Sequence, residues 1–293
     1  MNGNNFADAG SSFDESEFVL YGVPFDGTSS FRTGSKWAPR EMRKASYNFE
    51  TYNGDFDVDL CDVPIHDMGD CEVYCNVDDT LGVVYDIASK IVNAGKIPIM
   101  MGGEHSLTYP CVKAYKGKVG FVVLDAHYDL REEFGGIKNN HACVSRHIID
   151  DVTDRYVSIG VRSGTKEEYE YVKNNKKIRT YSADDVGGRG IDAILRDAGA
   201  YMKGCDRIYV SLDMDAIDPA YAPGLGTPEP FGITPGDVKA VIRYFAPKAV
   251  GFDVVEISPE YDHGTAALLG AKLIRDFIAA KWRSMQKNKK KMK

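Results

Sequence analysis

No stretch of this 293-residue chain approaches the roughly 20 consecutive apolar residues that a membrane helix needs, so no membrane association is expected. The opening segment, MNGNNFADAGSSFDESEF, lacks the basic region and apolar run of a secretion signal, which makes the cytoplasm the expected location. Basic charge is also short. With 36 Lys and Arg against 43 Asp and Glu the formal net charge is −7, which argues against a general affinity for nucleic acid. Six scattered cysteines (Cys61, Cys71, Cys75, Cys111, Cys143, Cys205) form neither a disulfide framework nor paired C-x-x-C spacing, so reduced, mostly buried thiols are expected. Linkers and repeats of fixed period are missing too. A single domain over residues 1–293 follows, with residues 1–14 expected to be flexible and the basic run 284–293 expected to be a helix end or tail, its lysines opposing the negative end of the helix dipole.

What the chain does contain is an alternation of short Val- and Ile-rich runs with longer segments of helical period, the pattern of a mostly parallel sheet covered by helices. Strands are expected at 18–23, 97–101, 119–125, 155–161, 207–213 and 249–256. Helices are expected at 78–94, 165–174, 190–203, 234–245 and from about 265 onward. Thr234, Pro235 and Asp237 supply an N-cap, a first-turn proline and an acidic residue at the positive end of the dipole.

Polar clusters close four of those strands: MMGGEHS, DAHYD, DMD and EISPEYD. Carboxyl ends of parallel strands are where ligands bind, because loops from neighbouring strands converge there. Asp125, His127 and Asp129 are spaced i, i+2, i+4, so an extended backbone would turn them to one face, and Asp213 and Asp215 would do the same. His105 follows Gly102 and Gly103, where the chain is expected to turn sharply. Taken singly, D-x-H-x-D occurs by chance, D-x-D is commonly a capping feature, and His105 reads as a hydrogen-bonded core histidine. Together they bring four carboxylates and two imidazoles to one crevice. Like charges so placed require a cation. The mixed ligand set suits a first-row divalent ion such as manganese better than magnesium, and neutralising four aspartates takes two such ions, about 3.5 Å apart.

The segments GGEHS, DAHYD, SLDMDAIDPAYAPGLGTPEP and DVVEISPEYD, with the N-terminal YGVPFDGTSSFRTGSKWAPREMRKAS, resemble the signature segments of the ureohydrolase family of arginases and agmatinases over nearly the whole chain. The resemblance implies a three-layer αβα domain and a binuclear manganese site that hydrolyses a small-molecule guanidino substrate to urea and an amine. It assigns His105, Asp125, Asp129 and Asp213 to one metal and Asp125, His127, Asp213 and Asp215 to the other, with Asp125 and Asp213 bridging. Asp218 is left to order the next loop. It further implies that Asp129 holds the nucleophile's proton, that Glu256 orients the guanidinium, that His141 in NNHACVSR shuttles a proton, and that the chain forms a homo-oligomer, trimer or hexamer. Read without the family, His141 is a surface-loop histidine, and His66, His147 and His263 are structural or surface residues, His263 near the site entrance. The chemistry is consistent: guanidinium is a permanently cationic, poor electrophile. Two metals would lower the pKa of a shared water. A group titrating near neutrality is needed to protonate the leaving amine.

The stretch LREEFGGIKNNHACVSRH looks like the agmatinase version, with Glu132 and Glu133 expected to repel an α-carboxylate. Phe231 in GTPEPFG departs from the family's glycine, so either the loop backbone or the pocket wall differs, and aminopropylagmatine, guanidinobutyrate and arginine stay open as substrates. A mononuclear zinc deacetylase leaves no role for His105. A binuclear phosphoesterase calls for a basic cluster that these motifs lack. A non-catalytic metal-binding subunit is the third alternative, set against the fact that every ligand position is filled.

Overall fold

The computed structural model describes residues 5–291. Its strands are β1 (Phe18–Gly22), β2 (Tyr52–Asn53), β3 (Val58–Asp59), β4 (Ile65–Asp70), β5 (Ile97–Met101), β6 (Gly120–Leu124), β7 (Tyr156–Val161), β8 (Ile178–Ser182), β9 (Ile208–Asp213) and β10 (Ala249–Val255). β2 and β3 make a small antiparallel hairpin, and the other eight form one sheet in the order β4-β1-β5-β10-β9-β6-β7-β8, with every pair parallel. The helices are α1 (Ala38–Ser46), α2 (Val77–Asn93), α3 (Thr108–Lys113), α4 (Val144–His147), α5 (Lys166–Asn174), α6 (Ala183–Arg189), α7 (Ile191–Tyr201), α8 (Pro235–Phe245) and α9 (Thr265–Lys291).

Alternation along each strand sorts the apolar side chains into two cores. Leu20, Val122, Leu124, Val210 and Phe252 pack with α1, α6, α7, α8 and α9 on one face, while Val19, Tyr21, Phe121, Val123 and Tyr209 pack with α2, α3 and α4 on the other. Both faces of the sheet are therefore covered, which gives three layers. α8 begins as expected: Thr234 Oγ1 accepts the Asp237 N–H at 3.2 Å, and Asp237 Oδ2 accepts the Thr234 N–H at 3.0 Å.

The edge strands β4 (IHDMGD) and β8 (IRTYS) escape sequence patterning because an edge is only partly covered and tolerates polar residues. α1, α3, α4 and α6 are missed because each is too short to display a helical period. Two further expectations are corrected. The N-terminal segment is packed rather than flexible from Phe6 onward, since Phe6 is buried and its N–H donates to Asp67 Oδ2 at 2.7 Å; residues 1–4 lie outside the described residues. Only Cys111 and Cys143 are buried, with Cys61 and Cys75 exposed in surface loops and turns. The basic C-terminal run continues α9 as far as Lys291, and residues 292–293 lie outside the described residues. Among the described residues no helix is long and apolar enough to cross a membrane.

The strand order sets β5, β10, β9 and β6 side by side in the middle of the sheet, so the four polar clusters end as neighbours. Gly103 ties their loops together. Its carbonyl accepts the Glu256 N–H at 2.8 Å, the next N–H, of Glu104, donates to Phe25 O at 3.0 Å, and a Cβ at 103 would fall 1.9 Å from that same oxygen. The chain bends at Gly103 and Glu104 as expected, without a positive φ at either glycine, and Gly103 also serves this close approach. We predict that Gly103→Ala lowers stability by about 2–3 kcal/mol in denaturant unfolding, because backbone must move to admit the methyl group; a loss below about 0.5 kcal/mol would contradict this packing.

Candidate metal centre

Asp213 is the last residue of β9, and Asp215 follows in a single 3-10 turn whose N–H donates to Asp213 Oδ1 at 2.9 Å. Asp125 follows β6 directly, and its Oδ1 accepts the His127 N–H at 2.6 Å. The DAHYD segment is only partly extended, since the chain bends at Ala126 and Asp129 has φ +53°, yet Asp125 and Asp129 still converge on His105. His105 opens a 3-10 turn after β5, with its N–H held by Glu256 Oε1 at 2.8 Å.

The result is a tight convergence. His105 Nδ1 lies 3.2 Å from Asp125 Oδ2, 3.2 Å from Asp129 Oδ2 and 3.1 Å from Asp213 Oδ2. His127 Nδ1 lies 3.0 Å from Asp215 Oδ2 and 3.7 Å from Asp125 Oδ1. Two groups with metal-ligating geometry emerge, His105 with Asp125 and Asp213, and Asp125 with His127 and Asp215. Asp125 belongs to both, one oxygen turned to each, whereas Asp213 turns Oδ2 to the first group and its Oδ1 takes a backbone N–H.

The donor set fits cations. His105 Nδ1 and Asp125 Oδ2 are buried without a hydrogen-bond partner, although they face one another. Burial and then the Asp129 charge push the Asp125 carboxyl up, and burial and then Asp215 push Asp213 up. Burial opposes a charged His127, yet Asp215 and Asp125 outweigh it and raise the ring to about 11; against its own burial, Asp215 is held low by His127. The cluster thus takes up protons wherever cations are wanting.

Further residues steer the candidate ligands. His105 Nε2 lies 3.2 Å from Ser211 Oγ, whose hydroxyl donates to Asp253 Oδ1 at 2.6 Å, so the ring's Nε2–H has an acceptor and Nδ1 keeps its lone pair for a cation. Thr227 Oγ1 donates to Asp215 Oδ2 at 3.0 Å. Arg162 donates to the carbonyls of Asp215, Ala216, Glu229 and Pro230, pinning the loop after β9. A signal for two of these was present in the sequence: Ser211 and Asp253 are polar residues inside otherwise apolar runs, and both are fully buried.

A 280 Å³ cavity opens onto the cluster, lined by His127, Asp129 and His141 at one side and by Arg131 and Glu168 beyond them. His141 is mostly buried, and burial lowers its pKa. Glu256 is buried under the His105 backbone with φ +64°, its pKa raised by burial and then by Glu104. Burial also raises Glu104, opposed by the hydroxyls of Ser106 and Thr28.

Three expectations need correction. Glu132 points outward to Arg146 at 3.2 Å, and neither it nor Glu133 lines the cavity; the side chain that does is Arg131, its guanidinium 4.4 Å from the Phe134 ring. His263 lines a separate 680 Å³ cavity with Trp37 and Glu260. Phe231 takes a positive φ (+65°) and is 84% exposed, so its ring is no wall of the cavity. His66 and His147 are held by the carbonyls of Ser11 and Lys138, and Asp218 accepts the N–H groups of Ala220 and Gly232, as structural readings of all three require.

The sequence profile of the arginase family matches residues 16–280. The chain belongs to the arginase family. It is similar to the agmatine ureohydrolase of Thermoplasma volcanium, whose crystal structure superposes with a TM-score of 0.92 at 42% identity, covering 97% of this chain and 96% of that one. An agmatinase of Pyrococcus horikoshii is 34% identical, with 89% of this chain and 90% of that protein covered, and the human mitochondrial guanidino acid hydrolase is 36% identical, with 89% and 77% covered. The protein is a ureohydrolase most like the agmatinases.

The Asp215 and Asp125 charges favour a protonated His127 in the metal-free site, so a metal bound there should displace that proton and affinity should rise with pH, about tenfold per unit for each proton released. Calorimetric titration of the metal-free protein with Mn²⁺ between pH 6.5 and 8.5, in buffers of different ionisation enthalpy, reads both numbers. Affinity independent of pH would contradict the assignment of His127 as a ligand.

Proposed function

We propose that this ureohydrolase converts agmatine and water to putrescine and urea at two divalent ions, with manganese the metal the ligand set suits. The observation that carries the reading is the buried meeting of His105, Asp125, Asp129 and Asp213, and of His127 with Asp215, at the mouth of one cavity. His105, Asp125, Asp129 and Asp213 are assigned to one ion and Asp125, His127, Asp213 and Asp215 to the other. When bound, the pair supplies the Lewis acidity that lowers the pKa of a shared water. The remaining work falls to side chains. Asp129 accepts the nucleophile's proton, Glu256 fixes the guanidinium by charge, and His141 hands a proton to the leaving amine. A homo-oligomer, trimer or hexamer, belongs to the same proposal.

Agmatine carries an ammonium at its far end, and the cavity offers a match. Glu168 is a buried carboxylate in its lining, engaged by the N–H groups of Leu130 and Thr165 at 2.9 and 2.8 Å. Arg131 in the same lining favours a second reading, a guanidino acid whose carboxylate it would receive, and the human relative's name points the same way. Measuring urea release from agmatine, arginine, 4-guanidinobutyrate and aminopropylagmatine with Mn²⁺ present separates the two. A desolvated, unpaired carboxylate costs several kcal/mol, so kcat/KM for agmatine should exceed that for arginine and guanidinobutyrate by about 10³, near 4 kcal/mol. Preference for guanidinobutyrate, lost in Arg131→Gln, would replace agmatine with the second reading.

A further inference from the structure

The proposed role of His141 leaves open which ring nitrogen moves the proton, and three loops answer that together. Thr28, in the loop after β1, is buried, and Glu104, after β5, is fully so. Glu104 Oε2 accepts the Thr28 N–H at 2.6 Å, and Oε1 accepts the Thr28 and Ser106 hydroxyls, each at 2.6 Å. The Thr28 hydroxyl has one hydrogen, and the carboxylate takes it. Its oxygen can then only accept. It receives the His141 backbone N–H at 3.1 Å and lies 3.2 Å from His141 Nδ1, while Nε2 lies 3.2 Å from Ser30 Oγ at the cavity lining. An unprotonated Nδ1 would set lone pair against lone pair at Thr28.

We propose that Thr28, held by Glu104, is a positioning residue that fixes His141 in the Nδ1–H tautomer and so makes Nε2 the nitrogen that exchanges protons with the substrate. During turnover the proton that the attacking water gives up to Asp129 passes to Nε2, which delivers it to the amine nitrogen as the C–N bond breaks, while Nδ1–H stays on Thr28. Burial disfavours the charged ring, and a neutral ring has a tautomer to fix. The close approach permitted by Gly103 serves this arrangement, because it brings the Phe25–Thr28 loop against Glu104.

The test uses the full-length protein labelled with ¹⁵N-histidine, with the His141 signals identified by their loss in His141→Ala. In the metal-free wild type at pH 7, Nδ1 should carry the proton. Thr28→Val should release that preference and lower kcat by about 10- to 100-fold with KM changed less than about threefold and metal content unchanged, and Thr28→Ser, which keeps the hydroxyl, should restore both tautomer and rate. A wild-type ring protonated on Nε2 overturns the inference even if Thr28→Val fails to fold; so does Thr28→Val that keeps tautomer and kcat, or Thr28→Ser as impaired as Thr28→Val. The inference rests on His141 as the proton shuttle, and the two fail distinguishably. Full activity in His141→Ala defeats that role whatever the tautomer, whereas an inactive His141→Ala beside an unimpaired Thr28→Val defeats only the part given to Thr28.

Discussion

Carboxylates buried against one another are the constraint on which this structure depends. Two like charges about 4 Å apart interact by about 4 kcal/mol at an effective dielectric near 20, and a domain's whole stability is only about 5–15 kcal/mol. Asp125, Asp129, Asp213 and Asp215 stand within reach of the same two imidazoles, and each is buried. So many negative charges cannot persist there uncompensated. The raised pKa values of Asp125, Asp213 and His127 are the same statement in protons: short of cations, the cluster binds hydrogen ions. A cluster whose charge needs compensation is suited to hold metal ions.

Everything around the cluster keeps that arrangement from relaxing. Three carboxyl ends in the middle of the sheet, of β5, β9 and β6, carry the candidate ligands, and a helix layer packs on each face. Asp253 and Ser211 hold the far nitrogen of His105, Thr227 holds Asp215, and Arg162 gathers the carbonyls of the loop between β9 and α8. Positive φ at Asp129 and Glu256 is local strain that such over-determination can sustain. The ligands are therefore preorganised, their geometry fixed before a cation or substrate arrives.

Much of this was legible in the sequence, and the limits have physical causes. Fully buried central strands write themselves as Val- and Ile-rich runs, so β5, β6, β9 and β10 and the polar clusters that close them could be read directly. Edge strands carry a mixed pattern because their environment is mixed, and β4 and β8 were lost for that reason. The residues that converge carry type and spacing legible in the sequence, whereas the positive φ of Asp129 and the 3-10 turn that carries Asp215 are invisible in a two-residue alternation. Beyond His127, Asp129 and His141, which residues wall the cavity could not be read. Arg131 faces it while the adjacent Glu132 faces solvent, and that one-residue difference of direction is set by tertiary packing.

The central claim is that the charge of this cluster is balanced by a pair of divalent ions. Elemental analysis of the fully active protein, combined with stepwise removal and return of Mn²⁺, measures that balance directly. The account predicts two ions per chain and activity that returns only as the second is restored; full activity at one ion per chain would contradict it.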